Sequence, residues 1–168
     1  AKTTYENIKK GNPQARAVGI TAAGTGLSLI KTAFDMGAYS HMEDVSYHLY
    51  PAGSPEKAKV GDDSRSVREL INQYPGGSDM KIWLTEMGWN SAAHGKNVAA
   101  KYLCKEFVIQ MEAELVERML WYDMVDDQTD VTYSEATFGM LERWHPQNKY
   151  RFLAKPAYVA TAAMNGIL

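Results

Sequence analysis

A single cysteine, Cys104, in 168 residues excludes an intrachain disulfide. In "KYLCKEFVIQM" its apolar neighbours recur at helical spacing, which makes it a small core residue. Excess charge of either sign is also missing. Lys and Arg number 18 against 20 Asp and Glu, the net charge is -2, and no block of like charge stands out. Nothing therefore recommends nucleic acid or an anionic membrane as partner. No apolar run reaches the roughly 18 residues of a membrane span, and no charged-then-apolar leader opens the sequence. The compartment stays open, secretion included. Chemistry-bearing motifs are absent too. His41, His48, His94 and His145 form no His-Glu-x-x-His or comparable spacing, so neither a metal nor a cofactor is expected. "GITAAGTG" is followed by no Gly-Lys-Ser/Thr and fails the dinucleotide-binding spacing, which removes an open-sheet nucleotide binder. There is no Gly-x-Ser-x-Gly elbow. Asp126, Asp127 and Asp130 do not follow the EF-hand pattern and read as a solvated acidic loop.

What is present is the composition of one ordinary globular domain, with 45% apolar residues. The hydrophobic period changes repeatedly along it. "TTYENIKKGNP" sets Tyr5 and Ile8 on a helical face that Gly11 and Pro13 end, and "ARAVGIT" follows as a short strand. "GLSLIKTAFDMGAYSHM" is helical through Leu27, Ile30, Phe34 and Ala38, and "EDVSYHLYP" then alternates as a strand. The loop "AGSPEKAKVGDD" leads to the helix "SRSVRELINQY" and the strand "KIWLTEMGW". A long helix around "NVAAKYLCKEFVIQMEAEL" precedes the strand "ERMLWYDMV". After the polar loop "DDQTDVTYSEAT" and the short segment "FGMLERWH", a last helix, "KPAYVATAAMNGIL", is entered through Pro156. Strand and helix alternate four times, which predicts a parallel sheet covered by helices in a single α/β domain over residues 1–168. Two architectures satisfy this: a four-stranded open sheet, or four units of a larger closed barrel.

In both architectures functional sites lie at the C-terminal ends of the strands. In "IWLTEMGW" the period of two places Ile82, Leu84 and Glu86 on one face, so the acid points the way core residues do. Ser46, His48 and Tyr50 share a face in "SYHLY", and Met119, Trp121 and Asp123 share one in "MLWYD". A carboxylate, an imidazole, a phenol and an indole converging on one mouth suit a carbohydrate, whose C–H groups stack on aromatic faces while polar groups hold its hydroxyls.

The order "KIWLTEMGW", long helix, "MLWYDMVDD", "EATFGML" and "KPAYVA" resembles the C-terminal half of retaining glycoside hydrolases of clan A, which are (β/α)8 barrels. Within that clan the likeness is to β-xylosidase and α-iduronidase relatives or to endoglucanase-like relatives. The resemblance implies that the chain covers about four βα units, strands five to eight of a TIM-type barrel. It further implies that Glu86 is the catalytic nucleophile, that His48 and Tyr50 line the site and hydrogen-bond the nucleophile, that Trp121 is the platform under the sugar, and that Trp89 and Asp123 contact substrate. The acid/base of the clan ends strand four in an Asn-Glu pair, which this sequence lacks. The expected partners are a carbohydrate substrate and either an N-terminal half-barrel or a second copy of the chain, since four strands leave two open edges and an inward face carrying Ile82, Leu84 and Met119. Three alternatives stand beside this reading. Glu86 can be a buried structural acid paired with Arg or Lys, Trp121 a core aromatic, and the whole chain a sugar-binding or structural half-barrel without turnover.

Overall fold

The computed structural model describes residues 1–130, 132–144, 146 and 152–167. The elements are α1 (Lys2–Gly11), β1 (Val18–Gly19), α2 (Leu27–Asp35), β2 (Asp44–Leu49), α3 (Pro55–Ala58), α4 (Val60–Ile71), β3 (Lys81–Met87), α5 (Ser91–His94), α6 (Lys96–Ala113), β4 (Val116–Trp121), β5 (Leu141–Glu142), β6 (Leu153–Ala154) and α7 (Pro156–Ile167). The four strands expected from periodicity form one sheet in the order β1-β2-β3-β4, and β1 pairs with β2 in parallel with Val18 opposite Asp44. The fold is thus mixed α/β with a parallel sheet. β1 is shorter than "ARAVGIT" suggests because Ile20 has φ 53°, the left-handed region in which a β-branched residue cannot continue a strand. The segment "AGSPEKAKVGDD" is largely helical rather than a loop: α3 and α4 are separated only by Lys59, with φ 57°, and α4 begins by burying Val60 and Gly61. In "FGMLERWH" Leu141 and Glu142 pair antiparallel with Leu153 and Ala154.

The chain forms two compact units. The first comprises Ala1–Leu49, Lys59–Glu86 and Gln110–Leu120, and it contains nearly all of the four-stranded sheet. Its core takes Ile30 and Phe34 from α2, Val45, Tyr47 and Leu49 from β2, Val60, Val67 and Ile71 from α4, and Ile82 and Leu84 from β3. Ile82 and Leu84 are fully covered, so they do not form part of an open apolar face as expected; the half-buried residues of β3 are Trp83 and Thr85, of opposite parity, and Glu86, at which the alternation breaks. The buried Tyr47 phenol would be costly without a partner, and it shares a 2.7 Å hydrogen bond with Ser64, which donates in turn to Gln110 Oε1 at 2.7 Å.

At the N-terminal ends of the strands a buried carboxylate fixes register. Asp44, wholly inaccessible, accepts from Arg16 Nε at 2.7 Å and Nη2 at 2.5 Å and from the Lys81 backbone N–H at 2.9 Å, tying together the starts of three neighbouring strands. Burial by itself would raise the Asp44 pKa, but the hydrogen bonds from Arg16 and Lys81 outweigh it and hold the carboxyl below its ordinary value. A depressed carboxyl contributes stability above the unfolded pKa of roughly 4 and loses it as pH falls through the folded value. Asp44→Asn is therefore expected to cost about 3 kcal/mol at neutral pH, the lower end for breaking a buried pair because Arg16 is half-exposed. Urea midpoints measured from pH 7 down to pH 3 should converge for the variant and the parent.

The second unit comprises Tyr50–Ala58, Met87–Ile109 and Trp121–Leu168. Ala100 and Leu103 of α6, Met140 and Ala157 of α7 form its apolar cluster, with Cys104, Phe107, Trp121 and Ala160 packed against it. Cys104 is accordingly a packing residue, as its helical neighbours suggest. Gly88 is where two segments touch most closely: a Cβ there would stand 2.6 Å from the Tyr122 carbonyl oxygen and 3.0 Å from the Phe138 ring. Close approach, rather than backbone freedom, is why glycine follows the acid in "TEMGW".

Candidate active site

Glu86 stands at the end of β3, and its side chain retains 37% exposure. The acid is therefore not fully buried. His48, one residue before the end of the neighbouring β2, places Nδ1 3.2 Å from Glu86 Oε2 with its side chain 20% exposed. The histidine is held at its backbone, where its N–H donates to the Ala22 carbonyl at 2.8 Å and bridges reach Ala23 and Gly24. The imidazole and the carboxylate thus face one another across neighbouring strand ends. Ser46, of the same parity as His48, shares a 2.8 Å hydrogen bond with Thr21. The first unit thus presents a carboxylate beside an imidazole that solvent, or a small molecule, can reach.

The other expected site residues belong to the second unit. Tyr50 is 42% exposed, and its ring meets Phe138 edge-on at 5.3 Å and Tyr122 at 6.1 Å. Tyr122 and Phe138 are themselves 5.7 Å apart. Tyr122 was not among the sequence candidates. Its backbone N–H donates to the Met87 carbonyl at 2.8 Å and its hydroxyl to Asp127 at 3.1 Å, so it is set both by the end of β3 and by the loop after β4. Trp121 is half-buried, packs on the α6–α7 cluster and donates from Nε1 to the Phe138 carbonyl at 3.0 Å. Part of the ring is thus engaged by packing while the rest remains accessible. Trp89 is a plain correction. At 1% exposure, with Nε1 donating to the Gly53 carbonyl at 2.8 Å and its ring against Tyr102 and Trp121, it cannot touch a substrate.

Asp123 lies beyond the end of β4, joined to Tyr122 by a cis peptide bond. Its Oδ1 is buried and makes no hydrogen bond. Burial first, then the neighbouring charges of Asp127 and Asp126, raise its pKa to about 6 against the opposing effects of the Val125 N–H and Lys155. A carboxyl with a raised folded pKa holds its proton more tightly than the unfolded chain does. It therefore favours the folded state at low pH and loses that contribution as pH rises from roughly 4 through 6. Asp123→Asn should flatten the corresponding stretch of a stability-versus-pH curve, measured by thermal denaturation; an unchanged slope between pH 4 and 7 would show that Asp123 titrates ordinarily.

The acidic loop is not uniformly solvated. Asp127 and Asp130 are exposed, but Asp126 is 3% exposed and paired with Lys155. Among the described residues no group of three His, Cys, Asp or Glu could hold a metal ion, and His145 lies outside them.

The fold is similar to that of a family 39 glycoside hydrolase from the gut symbiont Bacteroides cellulosilyticus WH2, with a TM-score of 0.77, 22% identity, and coverage of 95% of this chain and 35% of that one. A GH2 beta-galacturonidase from Eisenbergiella tayi gives 0.69 and 19% over 99% of this chain and 29% of that one. A GH51 arabinofuranosidase from Xanthomonas axonopodis pv. citri gives 0.67 and 15% over 95% and 36%. No family model and no curated protein sequence matches the chain. It spans about a third of the length of these solved chains. At such identities the likeness is one of fold, and it places this mixed α/β chain, with its parallel sheet, beside glycoside hydrolases of several families.

Proposed function

We propose that the chain is the nucleophile-bearing part, strands five to eight, of a clan A retaining glycoside hydrolase built as a (β/α)8 barrel. The observation that carries this reading is Glu86 itself: a carboxylate at the C-terminal end of a sheet strand, partly open, with an imidazole nitrogen 3.2 Å away on the adjacent strand. On this reading Glu86 Oε attacks the anomeric carbon as the glycosidic C–O bond breaks, giving a glycosyl ester. The departing oxygen takes a proton from an acid, and water activated by the same group then cleaves the ester, regenerating Glu86. That acid/base is supplied from outside residues 1–168, by an N-terminal half-barrel. Asp123, a carboxyl that burial pushes up to about 6, follows the strand after Glu86 and matches no acid/base position of the clan. Tyr50 and Tyr122, with Asp123, are the second unit's candidates for sugar contact.

The rival is a half-barrel that binds sugar without turnover. Mass-spectrometric mapping of the adduct left by an activated 2-deoxy-2-fluoro glycoside separates the two, because only a nucleophile acquires the label.

A further inference from the structure

Lys155 is the most deeply buried cation described, with a side chain 4% exposed, and all three of its ammonium donors are used. They go to Asp126 Oδ1 at 2.5 Å, Ser91 Oγ at 3.1 Å and the Thr137 carbonyl at 3.2 Å. Each acceptor belongs to a different segment: Ser91 opens α5, directly after the β3 turn; Asp126 lies in the loop after β4; Thr137 precedes the β5 segment. Asp126 is itself held from every side. Its Oδ1 also accepts from the Gly139 N–H at 2.9 Å, its own N–H donates to the Leu141 carbonyl at 2.9 Å, and its carbonyl accepts from Arg143 Nε at 2.7 Å. Gly139 has no room for a side chain there, since a Cβ would lie 2.2 Å from the Asp126 nitrogen. A buried ion pair is poor evidence for stability as such, because desolvation offsets most of the attraction. Its geometric consequence is specific: one ammonium fixes the mutual position of three segments that periodic structure does not connect.

We propose that Lys155, acting through Asp126, is a positioning residue that sets where Tyr122 and Asp123 stand. Asp123 is three residues from Asp126, and the Tyr122 hydroxyl is tied to Asp127, whose N–H donates to the Ala136 carbonyl at 3.1 Å. The loop that carries both sugar-contact candidates is therefore anchored at Asp126 and Asp127, with Lys155 on the Asp126 carboxylate and Arg143 on its carbonyl. The proposal rests on the functional reading only for the purpose of that placement; the anchoring itself is independent of it.

The test uses the full chain with Lys155→Met and with the double change Lys155→Met, Asp126→Asn. The single change strands a buried carboxylate and can prevent folding. The double change removes both charges while keeping an oxygen for the Gly139 N–H, so it is the decisive variant. Amide exchange is read at Tyr122, Asp126 and Asp127 against amides of β2 as an internal reference. Affinity is read by NMR titration with p-nitrophenyl β-xyloside and p-nitrophenyl α-arabinofuranoside. The expected result for the folded double variant is faster exchange confined to residues 122–127, with glycoside affinity lower by about tenfold or more, the range for removing a supporting partner behind a binding group. A purely structural role would instead change exchange in β2 and in the loop alike and leave affinity untouched in the folded fraction. Local exchange and affinity both unchanged in a folded double variant would overturn the proposal. If the parent chain binds neither glycoside, the sugar-contact reading falls while the exchange measurement still decides the anchoring.

Discussion

Treated with an activated 2-deoxy-2-fluoro glycoside, the chain is expected to acquire one covalent sugar, on Glu86, and Glu86→Gln is expected to acquire none. Fluorine at the second carbon slows formation and hydrolysis of the glycosyl ester because both pass through an oxocarbenium-like transition state, while a good leaving group departs without protonation. Attack by the nucleophile is then the only step the protein must perform. The glutamine variant keeps the size of the side chain and an oxygen near His48 but loses the charge that makes it a nucleophile, so labelling should fall to background rather than by a small factor. His48→Ala leaves the carboxylate present and removes the imidazole beside it, and partial labelling at a reduced rate is the corresponding expectation. Peptide mapping that found the sugar on Asp123, or on any residue other than Glu86, would refute the assignment. Labelling of the glutamine variant at the parental rate would do the same.

How far the sequence could lead is seen by comparing particular residues. The sheet was legible in the apolar residues that recur in β2 and β3, although their burial does not alternate strictly, and the structure holds His48 and Glu86, near the ends of neighbouring strands, 3.2 Å apart. Period alone did not say which parity is covered. Ile82 and Leu84 are fully buried within the chain, so the apolar incentive for association rests on less surface than an open face carrying both would leave. Beyond Trp121 the strand ends, and alternation stops being a guide. It favoured Trp121 for a sugar contact, although packing against α6 and α7 engages that ring, and it passed over Tyr122, which stands next to Tyr50. An aromatic after a catalytic-looking acid reads as a site residue, whereas Trp89 is buried, with its indole N–H on the Gly53 carbonyl 36 residues back and its ring against Tyr102. Asp126 and Lys155 pair across 29 residues, and no local pattern encodes such a partnership. The available hint was a lysine directly before the proline that opens α7, a position with no solvent-exposed periodic reason to be charged.

The second large effect concerns leaving groups. If the acid/base is supplied from outside residues 1–168, this chain should discriminate among glycosides by how much protonation the departing oxygen needs. General acid catalysis contributes on the order of 10² to 10⁴ in rate. An alkoxide leaving from an unactivated methyl glycoside or oligosaccharide requires that help, whereas p-nitrophenolate scarcely does. Steady-state turnover by the isolated chain should therefore be detectable, if at all, only with aryl glycosides, and a plot of log kcat/KM, which reports the step that expels the leaving group, against leaving-group pKa should fall steeply. The second half-reaction lacks its general base as well, so the glycosyl ester should accumulate. Added azide, a nucleophile that needs no deprotonation, should speed its breakdown and yield the glycosyl azide with retained configuration. A complementary polypeptide carrying a carboxyl about 5 to 5.5 Å from Glu86 should flatten the leaving-group dependence and abolish the response to azide together, because one group performs both tasks in a retaining mechanism. A shallow leaving-group dependence in the isolated chain, with no azide effect and with full hydrolysis of an unactivated glycoside, would mean that these 168 residues already contain their acid, and Asp123→Asn would then be the variant that identifies it.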